Sequence, residues 1–258
     1  MLKKKILFYI ILPLLILMQV IPADASNSFT TRVTSKEKAV FAFFRALGTS
    51  PDYEYWISSK HTYNTLSPRE QENYLLQETM RLGGGYGLYD QDIDLLELKI
   101  NVLAKYIPSV DGKKPRILFN FFDTSKEYTP TFNYPYGKDT LSLVINRLAM
   151  FSNMSLNETQ NAAILSKIPY ENEDFEATLV VHVRISKVNY KHPVTTSPNN
   201  HWLMVGEVAY LKCNVRSYEG NEEHMLWDYV APWHEEIFRI KNTPEEEKYP
   251  HPFDLYKD

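Results

Sequence analysis

The order of apolar and polar positions along the chain predicts helices first and strands later. Between Val40 and Leu47, apolar side chains recur at helical spacing. Thr34 and Glu37 stand in front of this run with the spacing of a capping box, and Gly48 follows it. The pattern predicts an amphipathic helix whose apolar face needs a partner surface.

Two further helices are predicted before residue 90. A short helical turn is expected to begin at Pro51, and a longer helix at Pro68, which follows the N-cap residue Ser67. We expect the longer helix to end near Leu82, because the segment from Gly83 to Gly87 is rich in glycine and favours a flexible turn. This segment lacks the lysine and hydroxyl residue of a phosphate-binding loop.

From Leu96 to Val102 the apolar period changes to two, which is typical of a half-buried strand. A turn at Asp111-Gly112 and a second strand from Arg116 to Phe122 complete a predicted hairpin.

Alternation returns in the two longest predicted strands, Leu179 to Ile185 and Ala209 to Val215. The link from Tyr190 to His201 is too long for a tight turn and contains two prolines, so a loop is expected there.

Other segments carry weaker patterns. Asp139 is expected to cap a helix with Leu141 and Leu148 on one face, and the segment from Ser155 to Glu158 is expected to open another short helix. A short edge strand is predicted from Glu236 to Lys241.

These elements predict an α+β fold, with an antiparallel curved sheet and with N-terminal and central helices that cover one face. No internal repeat or linker stands out. We therefore expect a single domain over residues 26–242 and an extended C-terminal tail over residues 243–258. A boundary near Pro169 is the alternative.

The first 25 residues have the order of a signal peptide. Lys3 to Lys5 are followed by an apolar run from Ile6 to Ile21 and by Ala23-Asp24-Ala25, which predicts cleavage after Ala25. The alternative is an uncleaved anchor, but sixteen residues interrupted by Pro13 fall short of the roughly 20 that span a bilayer. We expect a periplasmic or secreted protein with no transmembrane segment after cleavage.

Charge and cysteine content narrow the possible partners. Because the first 25 residues hold three lysines and one aspartate, the remainder carries 25 basic and 31 acidic residues, a net charge of −6. A negative surface without a basic cluster argues against nucleic acid. Cys213 is the only cysteine, so no internal disulfide is expected.

Cys213 supports two interpretations. It is a possible nucleophile with His224 or His234 as its base. It also alternates in register with Leu211 and Val215, which predicts a buried thiol without reactivity.

Histidines are concentrated late in the chain, which raises the question of a metal site. Six of the seven lie after residue 181: His182, His192, His201, His224, His234 and His251. A zinc-protease helix motif that began at His234 would need its second histidine at Phe238, so that motif fails. His224 and His234 remain the best candidate pair, but we predict neither a metal nor a cofactor.

Aromatic residues are the most suggestive feature of the loops. Tyr134, Tyr136 and Trp202 are the predicted ligand-binding residues, because aromatic rings with polar ends stack on sugars, peptides and protein surfaces. Tyr128 and Phe132 belong to the same series. The alternative is that these rings cap the open edge of the core.

The sequence therefore predicts an exported, soluble, non-enzymatic protein of the cell envelope that binds a protein, peptide or glycan through its loops. The alternative is an envelope hydrolase that uses the late histidine and glutamate residues or Cys213. No catalytic residue is predicted beyond these candidates.

Overall fold

The computed structural model of this chain describes residues 33–120, 131–166, 168, 174–194, 199–216 and 223–242. The predicted signal peptide, the predicted tail and Tyr128 lie outside the described residues. All statements below concern the described part of the chain.

Helices flank a single large sheet. The helices are α1 (Ser35–Leu47), α2 (Tyr53–Ser58), α3 (His61–Asn64), α4 (Pro68–Leu88), α5 (Glu158–Leu165) and α6 (Glu235–Asn242). The strands are β1 (Leu96–Ile107), β2 (Arg116–Asn120), β3 (Thr131–Tyr136), β4 (Asp139–Asn146), β5 (Asn153–Ser155), β6 (Asp174–Asn189), β7 (His201–Arg216) and β8 (Glu223–Val230). The predicted α+β class is confirmed.

Helix α1 forms as the sequence predicts. The Thr34 hydroxyl accepts a hydrogen bond from the Glu37 amide at 3.2 Å, and the Glu37 carboxylate accepts one from the Thr34 amide at 2.9 Å. Gly48 ends the helix in the left-handed conformation, with φ of 78°. Both ends of α1 are therefore set by local chemistry.

Helix α4 is longer than predicted. It continues through the glycine-rich segment to Leu88, so the predicted stop at Gly83 is wrong. Gly85 lies against α1, where a Cβ atom would stand 3.0 Å from Val33 Cγ2 and 3.3 Å from Phe41 Cε2. The tertiary contact between the two helices thus outweighs the low helix propensity of glycine.

Two other helix starts are shifted from their predicted residues. Helix α2 begins at Tyr53 instead of Pro51, and the carboxylate of its N-cap residue, Asp52, accepts a hydrogen bond from the Tyr55 amide at 3.0 Å. The predicted short helix is confirmed as α5, but the residues that cap its N-terminus are Asn157 and Gln160 instead of Ser155 and Glu158.

The strands form one strongly curled sheet in the order β3-β4-β7-β6-β1-β2-β5, and β8 also pairs with β7. The predicted hairpin and the two predicted long strands are confirmed as β1-β2 and β6-β7. The expectation of a purely antiparallel sheet is only partly right, because β4 runs parallel to the first half of β7. The second half of β7 pairs with β8 instead.

Two predicted elements have the opposite structure. The segment that Asp139 was expected to cap as a helix is strand β4, which lies between β3 and β7 and satisfies its backbone on both sides. The predicted edge strand from Glu236 to Lys241 is helix α6.

The sheet has an inner face toward the core and an outer face. Along β6, Leu179, Val181 and Val183 are buried on the inner face, and His182 and Arg184 lie on the outer face. Helix α1 packs against β6, β1, β3 and β4 on the inner side. Among the described helices, none combines the length and apolar content that a membrane span requires.

Candidate functional site

Strand β3 places Tyr134 and Tyr136 in the core. Tyr134 is 8% exposed and Tyr136 is 7% exposed. The Tyr136 ring contacts those of Phe44, Tyr55 and Trp56, with ring centroids 4.9 to 5.9 Å apart. Burial raises the pKa of both phenols, that of Tyr134 to about 12. A ligand would reach the Tyr136 ring only after α1 and α2 had moved.

Trp202 is more accessible than these tyrosines. Its ring stacks on that of Tyr190 at 5.0 Å, and its indole N–H donates to the Asp139 carboxylate at 3.2 Å. Leu141 of β4 pairs with Tyr134 on one side and with Trp202 on the other, so the sheet does bring these residues into one row. Their role in ligand binding stays a prediction.

Cys213 lies on the inner face of β7 and is fully buried. Burial raises the pKa of its thiol to about 12, so the group is protonated at neutral pH. A protonated, inaccessible thiol is a poor nucleophile, which supports the interpretation of Cys213 as a core residue.

Those late histidines whose side chains the structure describes do not gather as a metal-binding group. Across the described residues, no set of three or more histidine, cysteine, aspartate or glutamate side chains is close enough to hold a metal ion. The side chain of His224 and the whole of His251 lie outside the described part of the structure. The histidines that do come together are His182 and His234.

A cleft of about 550 Å³ lies where the outer face of β6 and β7 meets α6 and the start of α1. Residues 93–97, just before and within β1, complete its walls. We call it the outer cleft. Its ionisable side chains, besides that of Tyr210, are those of Lys38, Asp94, Glu97, His182, His234 and Lys241.

Aromatic rings form one wall of the outer cleft. The Tyr210 ring of β7 lies 4.7 Å from the Phe238 ring of α6 and 5.5 Å from the His182 ring of β6. This wall offers an apolar surface on which a flat or aliphatic group of a ligand can pack.

Helix α6 is held beside the sheet by an arginine. The Arg184 guanidinium lies 3.8 Å above the Trp233 ring and pairs with Asp92 at 2.9 Å. Trp233 belongs to the single 3₁₀ turn that leads into α6. The contact therefore fixes the position of His234, the next residue, at the cleft.

His234 is the most unusual residue of the outer cleft. It is 2% exposed, and its Nδ1 atom has no hydrogen-bond partner among the described residues. Burial, and then the nearby charges of Lys241 and Arg184, lower its pKa, which favours the neutral ring. A buried polar atom left without a partner costs about 1–3 kcal/mol, so such atoms require an explanation.

Two lysines approach the same short segment at the edge of the cleft. Lys38 Nζ lies 3.5 Å from the Asp94 carboxylate, and Lys241 Nζ donates to the carbonyl of Ile93. Burial, and then repulsion from Lys38, lower the pKa of Lys241, while Asp94 opposes this shift. The two ammonium groups are close enough to repel each other.

A second concavity, of about 330 Å³, lies between α1, α2 and the β3-β4 turn. Apart from the exposed Lys36, the charged groups that line it already have partners. Glu37 pairs with Arg81 and Lys60, and both cations also pair with Glu78. Because this network is satisfied internally, the outer cleft is the better candidate site.

Comparison with known proteins does not assign the site. No family model, curated protein or solved structure matches this chain. The candidate site therefore rests on geometry and chemistry alone.

Sequence reasoning identified His182 and His234 only as members of a late cluster, and it paired His234 with His224. It missed Lys38, Lys241 and Phe238 as cleft residues. These residues come from segments far apart in the chain, so no spacing in the sequence relates them. The skew of histidines toward the second half was the one available signal.

Proposed function

We propose that this chain is an exported, soluble, non-enzymatic protein of the cell envelope that binds a small ligand in the outer cleft. The observation that carries the proposal is His234, a buried imidazole with an unpartnered nitrogen beside a cleft of about 550 Å³. A ligand that supplies the missing hydrogen bond would remove this cost.

Export is supported by the N-terminal order of Lys3 to Lys5, a short apolar run and Ala23-Asp24-Ala25. Mass spectrometry of the protein recovered from its source cells tests this part. We expect a chain that begins at Ser26. A functional protein that keeps residues 1–25 would contradict both cleavage and the envelope location.

A fragment screen by nuclear magnetic resonance tests the binding site. Small polar compounds that bind are expected to shift the amide resonances of His182, His234 and Lys241. The exposed Ser35 lines the cleft, so Ser35→Trp should fill it and abolish these shifts. Lys36→Trp, at the next residue, lies at the second concavity and not at the outer cleft, and serves as the control.

Two results would contradict the proposed site. One is a screen in which compounds bind only at other surfaces of the folded protein. The other is binding at the cleft residues that Ser35→Trp and Lys36→Trp affect equally. Thermal unfolding of both variants verifies that each is folded.

The alternative, an envelope hydrolase, would need an activated nucleophile and an oriented base. Cys213 is sealed in the core, and no hydrogen-bonded carboxylate orients Nδ1 of His234 among the described residues. These observations favour binding over hydrolysis as the role of the cleft.

A further inference from the structure

We infer that mild acid releases helix α6 from the sheet, because its one buried anchor, His234, then becomes a cation. Helix α6 is a wall of the outer cleft, so its release opens the site of the proposed function. The release itself requires no bound ligand.

His234 is the buried anchor of this helix. Within residues 232–242 it is the only buried residue, and none of the residues of α6 itself is buried, whereas seven residues of α1 are. The His234 ring lies 5.3 Å from the Trp233 ring and 6.4 Å from that of Phe238, which in turn packs on Tyr210. The ring is therefore surrounded by the side chains through which α6 meets the sheet.

Protonation leaves this anchor short of a hydrogen-bond acceptor. A neutral imidazole has one donor nitrogen and one acceptor nitrogen, whereas both nitrogens of the cation are donors. Nδ1 of His234 is buried, and no described residue is hydrogen-bonded to it. A buried charged ring with an unpartnered donor is costlier than a neutral ring with an unpartnered acceptor, because the charge is also removed from water.

The charges that face His234 also oppose a positive ring. Besides burial, Lys241 of α6 and Arg184 of β6 lower its pKa. Asp92, which precedes β1, acts in the opposite direction, but it is already paired with Arg184 at 2.9 Å. His182 of β6 is electrostatically coupled to His234, so a charge on either ring disfavours a charge on the other.

The other ionisable groups of the surrounding elements do not reverse this preference. They are Lys38, Asp90, Asp94, Glu97, Glu207, Tyr210, Lys212, Glu235, Glu236 and Arg239. Asp90 and Asp94 act on Lys241, and Glu207 is paired with Arg184 at 3.3 Å. Glu97 favours a charge on His182, which would add to the repulsion at His234. The phenol of Tyr210 has a raised pKa and is neutral throughout the acid range.

The helix adds to the effect. His234 immediately precedes α6, and the N-terminal end of a helix carries a partial positive charge that disfavours a cation there. Glu235 and Glu236 offset part of this charge, but both are exposed to solvent, which screens them.

The pH range follows from the direction of the shift. The pKa of His234 is lowered while α6 is attached, and it returns to the ordinary value of 6.5 after release. Above that value neither state binds the proton, so attachment does not depend on pH. As pH falls below it, the released state takes up the proton first, and its population relative to the attached state rises by up to about tenfold per pH unit.

Hydrogen exchange of the backbone amides tests the release. The protection of α6, which is the exchange rate corrected for its intrinsic pH dependence, should fall by about five- to tenfold between about pH 7.5 and about pH 5.5, while that of α1 stays constant. His234→Phe keeps an aromatic ring that cannot take up a proton, so it should abolish this fall. His61→Phe, the same change at an exposed position, is the control and should behave like the parent protein.

Three results would overturn the inference. One is a parent protein whose α6 protection changes less than about twofold over this pH range. The second is an equal fall in His234→Phe and in His61→Phe. The third comes from the ring ¹⁵N resonances of the parent protein, which decide the question even if His234→Phe does not fold: a titration midpoint of His234 at or above that of His61.

The release and the proposed function fail separately. A constant α6 protection leaves the fragment screen at neutral pH as the test of the cleft. A screen without any binder leaves the acid release intact, because exchange is measured on the free protein.

Discussion

At the scale of single residues, the partly buried ion pairs of Glu78 and Glu37 lower the pKa of both carboxyl groups. Glu78 accepts hydrogen bonds from Arg81 at 2.8 Å and from Lys60 at 2.9 Å, and its side chain is 16% exposed. These bonds, with Arg81 the largest cause, lower the pKa of Glu78 to about 2. Burial alone would raise the pKa of Glu37, but its hydrogen bonds from Arg81 and Thr34 bring it below the ordinary value.

The shift predicts acid sensitivity. Because the folded-state pKa of Glu78 lies below its unfolded value, its stabilising contribution is present above the unfolded pKa and is lost as pH falls toward about 2. We expect the free energy of unfolding, measured by urea denaturation, to decline between about pH 5 and about pH 2.

A substitution isolates this residue. Glu78→Gln should cost about 1–3 kcal/mol at neutral pH and flatten the acid decline. Glu72→Gln, at an exposed position of the same helix, is the control and should change neither. An acid decline as steep in Glu78→Gln as in the parent protein would show that other groups cause it.

At the scale of elements, the two adjacent glycines Gly84 and Gly85 of α4 differ in how closely they pack against α1. A Cβ atom on Gly84 would meet nothing within 4 Å, whereas one on Gly85 would press against Val33 and Phe41 of the α1 region. The helix tolerates both glycines, but only Gly85 is needed for packing.

The pair gives a direct stability test. Gly84→Ala should raise the free energy of unfolding by about 1 kcal/mol, because alanine is the better helix former. Gly85→Ala gains the same propensity but must displace Val33 and Phe41, so it should be at least about 1 kcal/mol less stable than Gly84→Ala. Equal stabilisation in thermal and chemical unfolding would mean that the contact between α4 and α1 is looser than described.

Element type was predictable where local chemistry agreed with the tertiary context. The capping box of α1 and the alternation in β6 and β7 are examples. Residues 141–145, Leu-Ser-Leu-Val-Ile, fit either a helix face or a buried strand, and pairing with both β3 and β7 selects the strand. The opposite error occurs around Phe238, where a strand was predicted and helix α6 forms. Six residues, Glu236 to Lys241, are too few to distinguish a period of two from one of 3.6.

At the scale of the whole molecule, the fold class followed from the sequence but the topology did not. The parallel pairing of β4 with β7 joins residues about sixty positions apart, and local patterns carry no information about it. The outer cleft, too, is formed by segments that lie far apart in the sequence. It combines the start of α1, the start of β1, two long strands and the C-terminal helix α6, so its residues become related only when the sheet curls.

This assembly also explains why the aromatic series led away from the cleft. Rings are common both in cores and in ligand sites. Tyr134 and Tyr136 are both buried, and Tyr136 packs against rings of α1 and α2. No sequence pattern predicts that Nδ1 of His234 has no hydrogen-bond partner among the described residues, because this depends on which residues the fold brings near the ring.

The measurement that decides most is the ¹⁵N spectrum of the histidine rings during titration with the tightest binder from the fragment screen. If the cleft binds its ligand at the buried imidazole, the Nδ1 resonance of His234 will shift in step with occupancy, and that of the exposed His61 will stay fixed. A saturating titration that moves other resonances and leaves His234 and His182 unchanged would contradict the outer cleft as the binding site.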